Sequence, residues 1–284
     1  MPRSASLVCA CVFTGVLGAG VLGWTAVASA QGTGEGASRV PDFSGLWQRD
    51  DPLMQFMPPP EGYQPLLREH PEHVRNPQGD ELPFIADPSD PLLQPWVSAN
   101  IADKNHRQLD LGETILPAHS LCWPSGVPAA LRLREPVRFL QHGDRVTIVY
   151  QRDHQIRRIY LGEEHPENIE PSWYGHSIGH FDSDNLVVDT VGLNNKTTVD
   201  WWGTPHTEQI HVVEKYRIME GGRMMEVLFT VEDPGAFTRP WSAVVHYRRL
   251  GANAQFNEVV CAENNKDAST GRDFPIPLAA KADF

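Results

Sequence analysis

Nine short segments of alternating apolar and polar residues dominate the second half of this 284-residue chain. They cover 137–141, 146–151, 156–161, 176–182, 186–191, 210–218, 224–231, 242–249 and 256–261. A period of two marks a half-buried strand, because successive side chains leave opposite faces of a sheet. Three separators, His142-Gly143-Asp144, Ser183-Asp184-Asn185 and Glu220-Gly221-Gly222, are tight-hairpin sequences. No helical periodicity intervenes, so the pattern predicts a mainly β fold built as an antiparallel meander. Closing such a sheet removes both exposed edges. An up-and-down barrel is therefore the expected architecture, with an open sandwich as runner-up.

The preceding stretch has the opposite character. Residues 49–136 hold 15 of the 24 prolines, including Pro58-Pro59-Pro60. Proline fixes φ and removes a backbone donor, so this zone is neither central strand nor good helix. It reads as a largely irregular insertion, a lid or outer wrap on the barrel. One short helix is expected from Gln94-Pro95, with Val97 and Ile101 one turn apart. Before it, Phe43-Ser44-Gly45-Leu46-Trp47 reads as a further strand. Gly45-x-Trp47 resembles the first-strand motif of lipocalin-like barrels. That resemblance implies a Trp plugging the closed end and a small apolar ligand at the open end.

Residues 1–30 read as a signal peptide. Arg3 is followed by an apolar run over 7–27, and Ala28-Ser29-Ala30 supplies the small-x-small pattern of a cleavage site. An uncleaved anchor is the alternative; four glycines within the run favour cleavage, with no stable membrane insertion afterwards. The expected location is periplasmic or secreted. Residues 31–42 then form a flexible leader, 43–265 a single barrel domain and 266–284 a tail. Cys122 and Cys261 are the cysteines left in the mature chain. In an oxidising compartment they read as one disulfide, with two free thiols as the alternative. Closing a loop of about 140 residues stabilises by roughly 5 kcal/mol in the chain-entropy picture.

A net charge of −12 argues against nucleic acid as a partner, since phosphate binding needs clustered Lys and Arg. No P-loop or G-x-G-x-x-G is present, and no cofactor is expected. Several motifs together resemble a family of secreted bacterial proteins of uncharacterised function. They are Pro41-Asp42-Phe43-Ser44-Gly45-Leu46-Trp47, Cys122-x-Pro124-Ser125-Gly126-Val127-Pro128, Gly175-His176-Ser177-Ile178-Gly179-His180, Leu186-Val187-Val188-Asp189-Thr190, Gly203-Thr204-Pro205-His206 and Cys261-Ala262-Glu263-Asn264-Asn265. The likeness spans most of 41–265 and implies export and a single domain. At 181–185 the chain reads Phe-Asp-Ser-Asp-Asn where that family has Trp-Glu-Gly-Asp-Thr, which keeps an acid at 182 in a shorter form.

Imidazoles and carboxylates are concentrated in 173–214. With a two-residue turn at Ser183-Asp184 or Asp184-Asn185, His176, Ile178, His180 and Asp182 share one face with Val187 and Asp189. Asp189 then lies opposite His180 or diagonal to both His176 and His180, depending on the register. A carboxylate beside an imidazole fixes its tautomer and raises its basicity, which suits a general base. His176, His180, Asp189 and Asp182 are the expected catalytic groups. Trp173, Tyr174, Trp201, Trp202, His206 and Glu214 are the expected ligand-binding groups around a small hydrophobic or aromatic molecule. No metal site is expected, because residues four apart in a strand lie about 13 Å apart. Arg157-Arg158 reads as a solvated pair without a role. Two functions fit: a periplasmic hydrolase, lyase or isomerase using His/Asp acid-base chemistry, or a non-catalytic binding and carrier barrel.

Overall fold

The computed structural model describes residues 40–51, 56–61, 74–75, 81–82, 85–113, 115, 121–200 and 202–261. Strands β1 (Gly45–Arg49), β2 (Val74–Arg75) and β3 (Glu81–Leu82) come first, followed by helix α1 (Pro95–Leu109). Then come β4 (Val137–His142), β5 (Arg145–Tyr150), β6 (Ile156–Leu161), β7 (His176–Asp182), β8 (Asn185–Val191), β9 (His211–Met219), β10 (Met224–Glu232) and β11 (Trp241–Arg249). β2 and β3 form a separate two-stranded ribbon, and the other nine strands close a barrel in the order β1-β11-β10-β9-β8-β7-β6-β5-β4. The fold is mainly β with one helix, a closed barrel of lipocalin-like form. The segments read from sequence as signal peptide, leader (apart from its last residues) and tail, together with Trp201, lie outside the described residues.

Two details depart from the expected meander. β6 and β7 pair in parallel, through Ile159–Ser177, Tyr160–Ile178 and Leu161–Gly179. The connection over 162–175 is the physical reason: a tight hairpin forces antiparallel pairing, whereas a dozen or more residues let the chain cross back and re-enter from the same end. The stretch 256–261 is also not a strand, and its one ladder contact is the Arg152–Val259 bridge. β1 takes the ninth place in the barrel.

Inward and outward rows alternate as the strand pattern requires. Val146, Ile148 and Tyr150 face inward with Ile159, Leu186, Val188, Val212, Tyr216, Val227 and Phe229, all buried. Trp47 is fully buried, donates from Nε1 to the Phe43 carbonyl at 2.9 Å, and lies under the Arg249 guanidinium at 4.1 Å. Phe43 adds ring contacts to Phe181 and Tyr216 at 6.5 and 6.4 Å. Together these close the end that carries the β4–β5, β7–β8 and β9–β10 turns. α1 starts with Pro95 in its first turn and buries Val97 and Ile101. The neighbouring chain is stitched to the opposite end by the Leu93–Phe237 bridge and by the Phe56 ring 4.7 Å from Phe229. Cys122 and Cys261 form a disulfide with Cα atoms 5.4 Å apart.

The barrel interior is not purely apolar. Arg157, read from sequence as a solvated residue without a role, is in the core, with its side chain 1% exposed against Glu214 at 0%. Its Nη1 donates to Glu214 Oε1 at 3.0 Å, and Nη2 contacts Oε2. Nη2 also reaches Thr190 Oγ1 at 2.8 Å, Nε reaches Ser177 Oγ at 3.1 Å, and Tyr216 OH donates to Glu214 Oε1 at 2.7 Å. Burial works against the charge of Arg157, but Glu214 outweighs it and holds the guanidinium pKa well above its ordinary value. Glu214→Gln should therefore destabilise the protein by about 3–5 kcal/mol in urea unfolding, because a buried guanidinium is left uncompensated. Replacing the network's charged pair and its dependent hydroxyl together, by Arg157→Met, Glu214→Leu and Tyr216→Phe, should recover most of that loss, since Ser177 and Thr190 still pair with each other at 3.0 Å.

Candidate functional site

The β7–β8 turn is Ser183-Asp184, with Asp182 paired to Asn185 and Ile178 opposite Asp189. Ser177 and Thr190 face inward to serve Arg157, so His176, His180 and Asp189 face outward. The expected His–Asp face is thus real, but it lies on the outside of the barrel. Asp189 is diagonal to both histidines, and neither touches it directly.

A third histidine bridges the gap. The crossover over 162–175 runs beside the end of β8, where Ser172 N donates to the Gly192 carbonyl and Asn194 N donates to the Ser172 carbonyl, both at 2.9 Å. Ile169 packs on Gly192, where an added Cβ would meet Ile169 Cγ2 at 2.3 Å. Gly175, at φ +61°, lets the chain turn into β7 against the Val191 carbonyl, which an added Cβ would meet at 2.3 Å. This path brings His165 over the strands. Its Nε2 is 3.1 Å from Asp189 Oδ1, and its Nδ1 is 2.9 Å from His176 Nδ1. His211, from the first position of β9, places Nε2 2.8 Å from the same Asp189 oxygen.

These contacts determine the proton positions. An ionised carboxylate only accepts, so both His165 and His211 carry their proton on Nε2. With the His165 proton on Nε2, its Nδ1 lone pair accepts from His176 Nδ1–H, which leaves a lone pair on His176 Nε2. The chain Asp189–His165–His176 ends in a free base. The Tyr160 ring stacks on the His176 imidazole, 5.2 Å between centroids with a 13° interplanar angle. Burial and the neighbouring His165 lower the His176 pKa, so the imidazole is neutral at neutral pH. The hydrogen bond to His211 leads the effects that lower the Asp189 pKa, and the same bond raises that of His211.

Beside this chain lies a groove of about 310 Å³, lined by Ile156, Arg158, Tyr160, Trp173, Tyr174 and His176 among others. It opens where the first residues of β6 run past the three-position parallel seam. Trp173 stands 5.7 Å from Trp123, and Tyr174 stacks on Tyr150 at 5.5 Å. Trp173 and Tyr174 both line the groove, with Tyr174 also packed against the barrel core through the inward-facing Tyr150.

The remaining sequence assignments fall elsewhere. His180 is exposed and outside the chain of imidazoles, four residues along the strand from His176. Asp182 sits in the hairpin turn, where its backbone carbonyl accepts from Asn185 Nδ2. Glu214 is the counter-ion of Arg157. His206 is buried between Thr197 Oγ1 at 2.8 Å and the Thr207 carbonyl at 2.9 Å, locking the 192–210 loop. Trp202 packs in the core. Among the described residues no group of three or more His, Cys, Asp or Glu is set to hold a metal ion. His165 was missed by strand parity because it lies on no strand; its only signal was a connection too long for a hairpin.

No protein-family model matches the chain, and no curated protein matches it. The site's own geometry therefore carries the functional reading.

His211 and Asp189 give a signed pH dependence. The raised His211 pKa means that this pair stabilises the fold fully below the ordinary imidazole pKa and stops doing so as pH rises through the raised value. Asp189→Asn should lower the His211 midpoint toward its ordinary value in an NMR titration. It should also flatten the stability loss over that pH interval.

Proposed function

We propose that this is an exported β-barrel enzyme that moves a proton on a small, largely apolar aromatic molecule bound in the outer groove. The observation that carries this reading is the Asp189–His165–His176 chain, which ends at a groove-lining imidazole. When His176 Nε2 takes a proton, His176 Nδ1–H passes its own to His165 Nδ1. The resulting imidazolium lies against the Asp189 carboxylate, where the charge is stabilised. Reversing the steps returns the proton to the product, so His176 serves as base and then as acid. A hydrolase, lyase or isomerase needs this exchange. Trp173 supplies a ring surface for an aromatic substrate, while Tyr160, stacked on His176, and Tyr174, stacked on Tyr150, complete the aromatic wall. Export is supported by the cleavable leader pattern in 1–30 and by the disulfide, a bond favoured in oxidising compartments.

The same ring-lined groove serves a carrier as well, and turnover separates the two. Wild-type protein, His176→Gln and His180→Ala are tested against a panel of small aromatic esters, lactones and β-hydroxy acids. Turnover by the wild type should fall about 10²–10⁴-fold in His176→Gln, the usual range for one acid-base group, and should be kept in His180→Ala. In parallel, ¹⁵N NMR should find His176 protonated on Nδ1 and His165 on Nε2. Equal turnover by His176→Gln overturns the assignment. Binding with no wild-type turnover on any panel member makes the protein a carrier.

A further inference from the structure

We propose that the groove selects a small planar carboxylate, an aromatic or conjugated acid, and that Arg158 is the residue that recognises it. This rests on the reading of the groove as the substrate site and names the chemistry of what enters it.

The charge of the groove is the first observation. On a chain of net charge −12, the described residues lining it include Arg158 and His176 and no carboxylate, the Glu163 carboxylate acting on His176 from outside the lining. Arg157 also contributes to the lining, but its charge is matched inside the barrel by Glu214. Arg158 is the next residue along the same strand, so its side chain leaves by the opposite face. It is exposed and makes no hydrogen bond or ion pair among the described residues. Exposed arginines elsewhere on the barrel behave differently: Arg145 pairs with Asp144, and Arg217 with Glu226.

Position is the second. The register that sets Ile159 beside Ser177 and Tyr160 beside Ile178, continued one residue back, brings Arg158 level with His176. Both project outward from neighbouring strands, which lie about 4.8 Å apart. An anion on Arg158 therefore holds the rest of a short ligand beside the lone pair of His176.

Shape is the third. Tyr160 is held flat by the His176 stack on one side and by the Arg145 guanidinium 5.8 Å from its centroid. Trp173 forms a further aromatic surface. Two apolar side chains stand open here, Ile156 at 46% exposure in the lining and Trp123 at 44% against Trp173. Planar surfaces beside a guanidinium suit a flat molecule with one carboxylate, because the guanidinium fork bonds both carboxylate oxygens at once.

The test uses 2-naphthoate and its neutral isostere 2-naphthamide, titrated into the full mature chain at pH 7.5 with tryptophan fluorescence and calorimetry as readouts. The naphthoate should bind about tenfold or more tighter than the amide, with the preference shrinking at 0.5 M salt. Arg158→Gln should erase the preference while leaving amide affinity unchanged, Arg158→Lys should keep part of it, and His180→Ala should match the wild type. Equal binding of the two probes, or an Arg158→Gln protein that keeps the preference, overturns the proposal while the groove stands as the binding site. If Trp173→Ala leaves the binding of both probes unchanged, the groove itself is not where they bind, and both readings fall together. Circular dichroism of each variant guards against misfolding.

Discussion

The buried Arg157–Glu214 pair governs the arrangement of the rest. It reaches across four neighbouring strands: Arg157 from β6, Ser177 from β7, Thr190 from β8 and Glu214 with Tyr216 from β9. Those strands include the parallel seam, which has only three paired positions. A short ladder leaves register weakly specified, and a one-residue slip there would turn every side chain of β7 to the other face. Such a slip would take Ser177 away from a guanidinium with no access to water. Glu214 would still match the charge, but the buried Nε donor would lose its acceptor, which costs about 1–3 kcal/mol, a sizeable part of the marginal stability of any domain. The interior network thus sets the parity of β7 and β8, and that parity turns His176 and Asp189 outward.

The crossover adds what strand parity alone lacks. Parallel pairing of β6 and β7 obliges 162–175 to run the length of the barrel on its outside. Over 162–170 only His165 and Ile169 are partly buried against the strands below; the intervening residues are exposed. His165 lands between Asp189 and His176, which are too far apart in this register to bond directly. The outer position also tunes the groups: Asp189 keeps its charge because two imidazoles donate to it, and His176 stays neutral because burial and the neighbouring His165 disfavour its protonation. A carboxylate, a relay and a terminal base have been assembled from three separate pieces of chain.

Much of the fold was legible because alternation is a local property. Strand positions, the tight turns at Gly143 and Ser183-Asp184, the helix opening at Pro95 and the Cys122–Cys261 bond all follow from residues near one another or from elimination. The face shared by His176 and Asp189 was legible on the same ground, since it needs only a two-residue turn. Which way that face points was not. It depends on Arg157, whose sequence context, a charged residue in an Arg-Arg pair, is that of a solvated strand. Only a partner 57 positions away makes it a core residue. The parallel seam, and with it His165, was hidden for a related reason: a long connection permits crossing without requiring it.

The G-x-W likeness to ligand-carrying barrels holds for the closed end and fails to carry over inside. Trp47, Phe43 and Arg249 plug that end as the motif implies. In place of an apolar chamber, however, the middle of the barrel holds an ion pair, two hydroxyl side chains and Tyr216. A ligand entering there would have to displace groups whose hydrogen bonds it could not replace. The described parts of the proline-rich zone pack on the remaining end, through Phe56, Leu93 and α1. With the interior filled by its own network, recognition moves to the surface, where the parallel seam breaks the regular wall and leaves a groove. The feature that departs most from a simple meander is therefore the one that creates the candidate site.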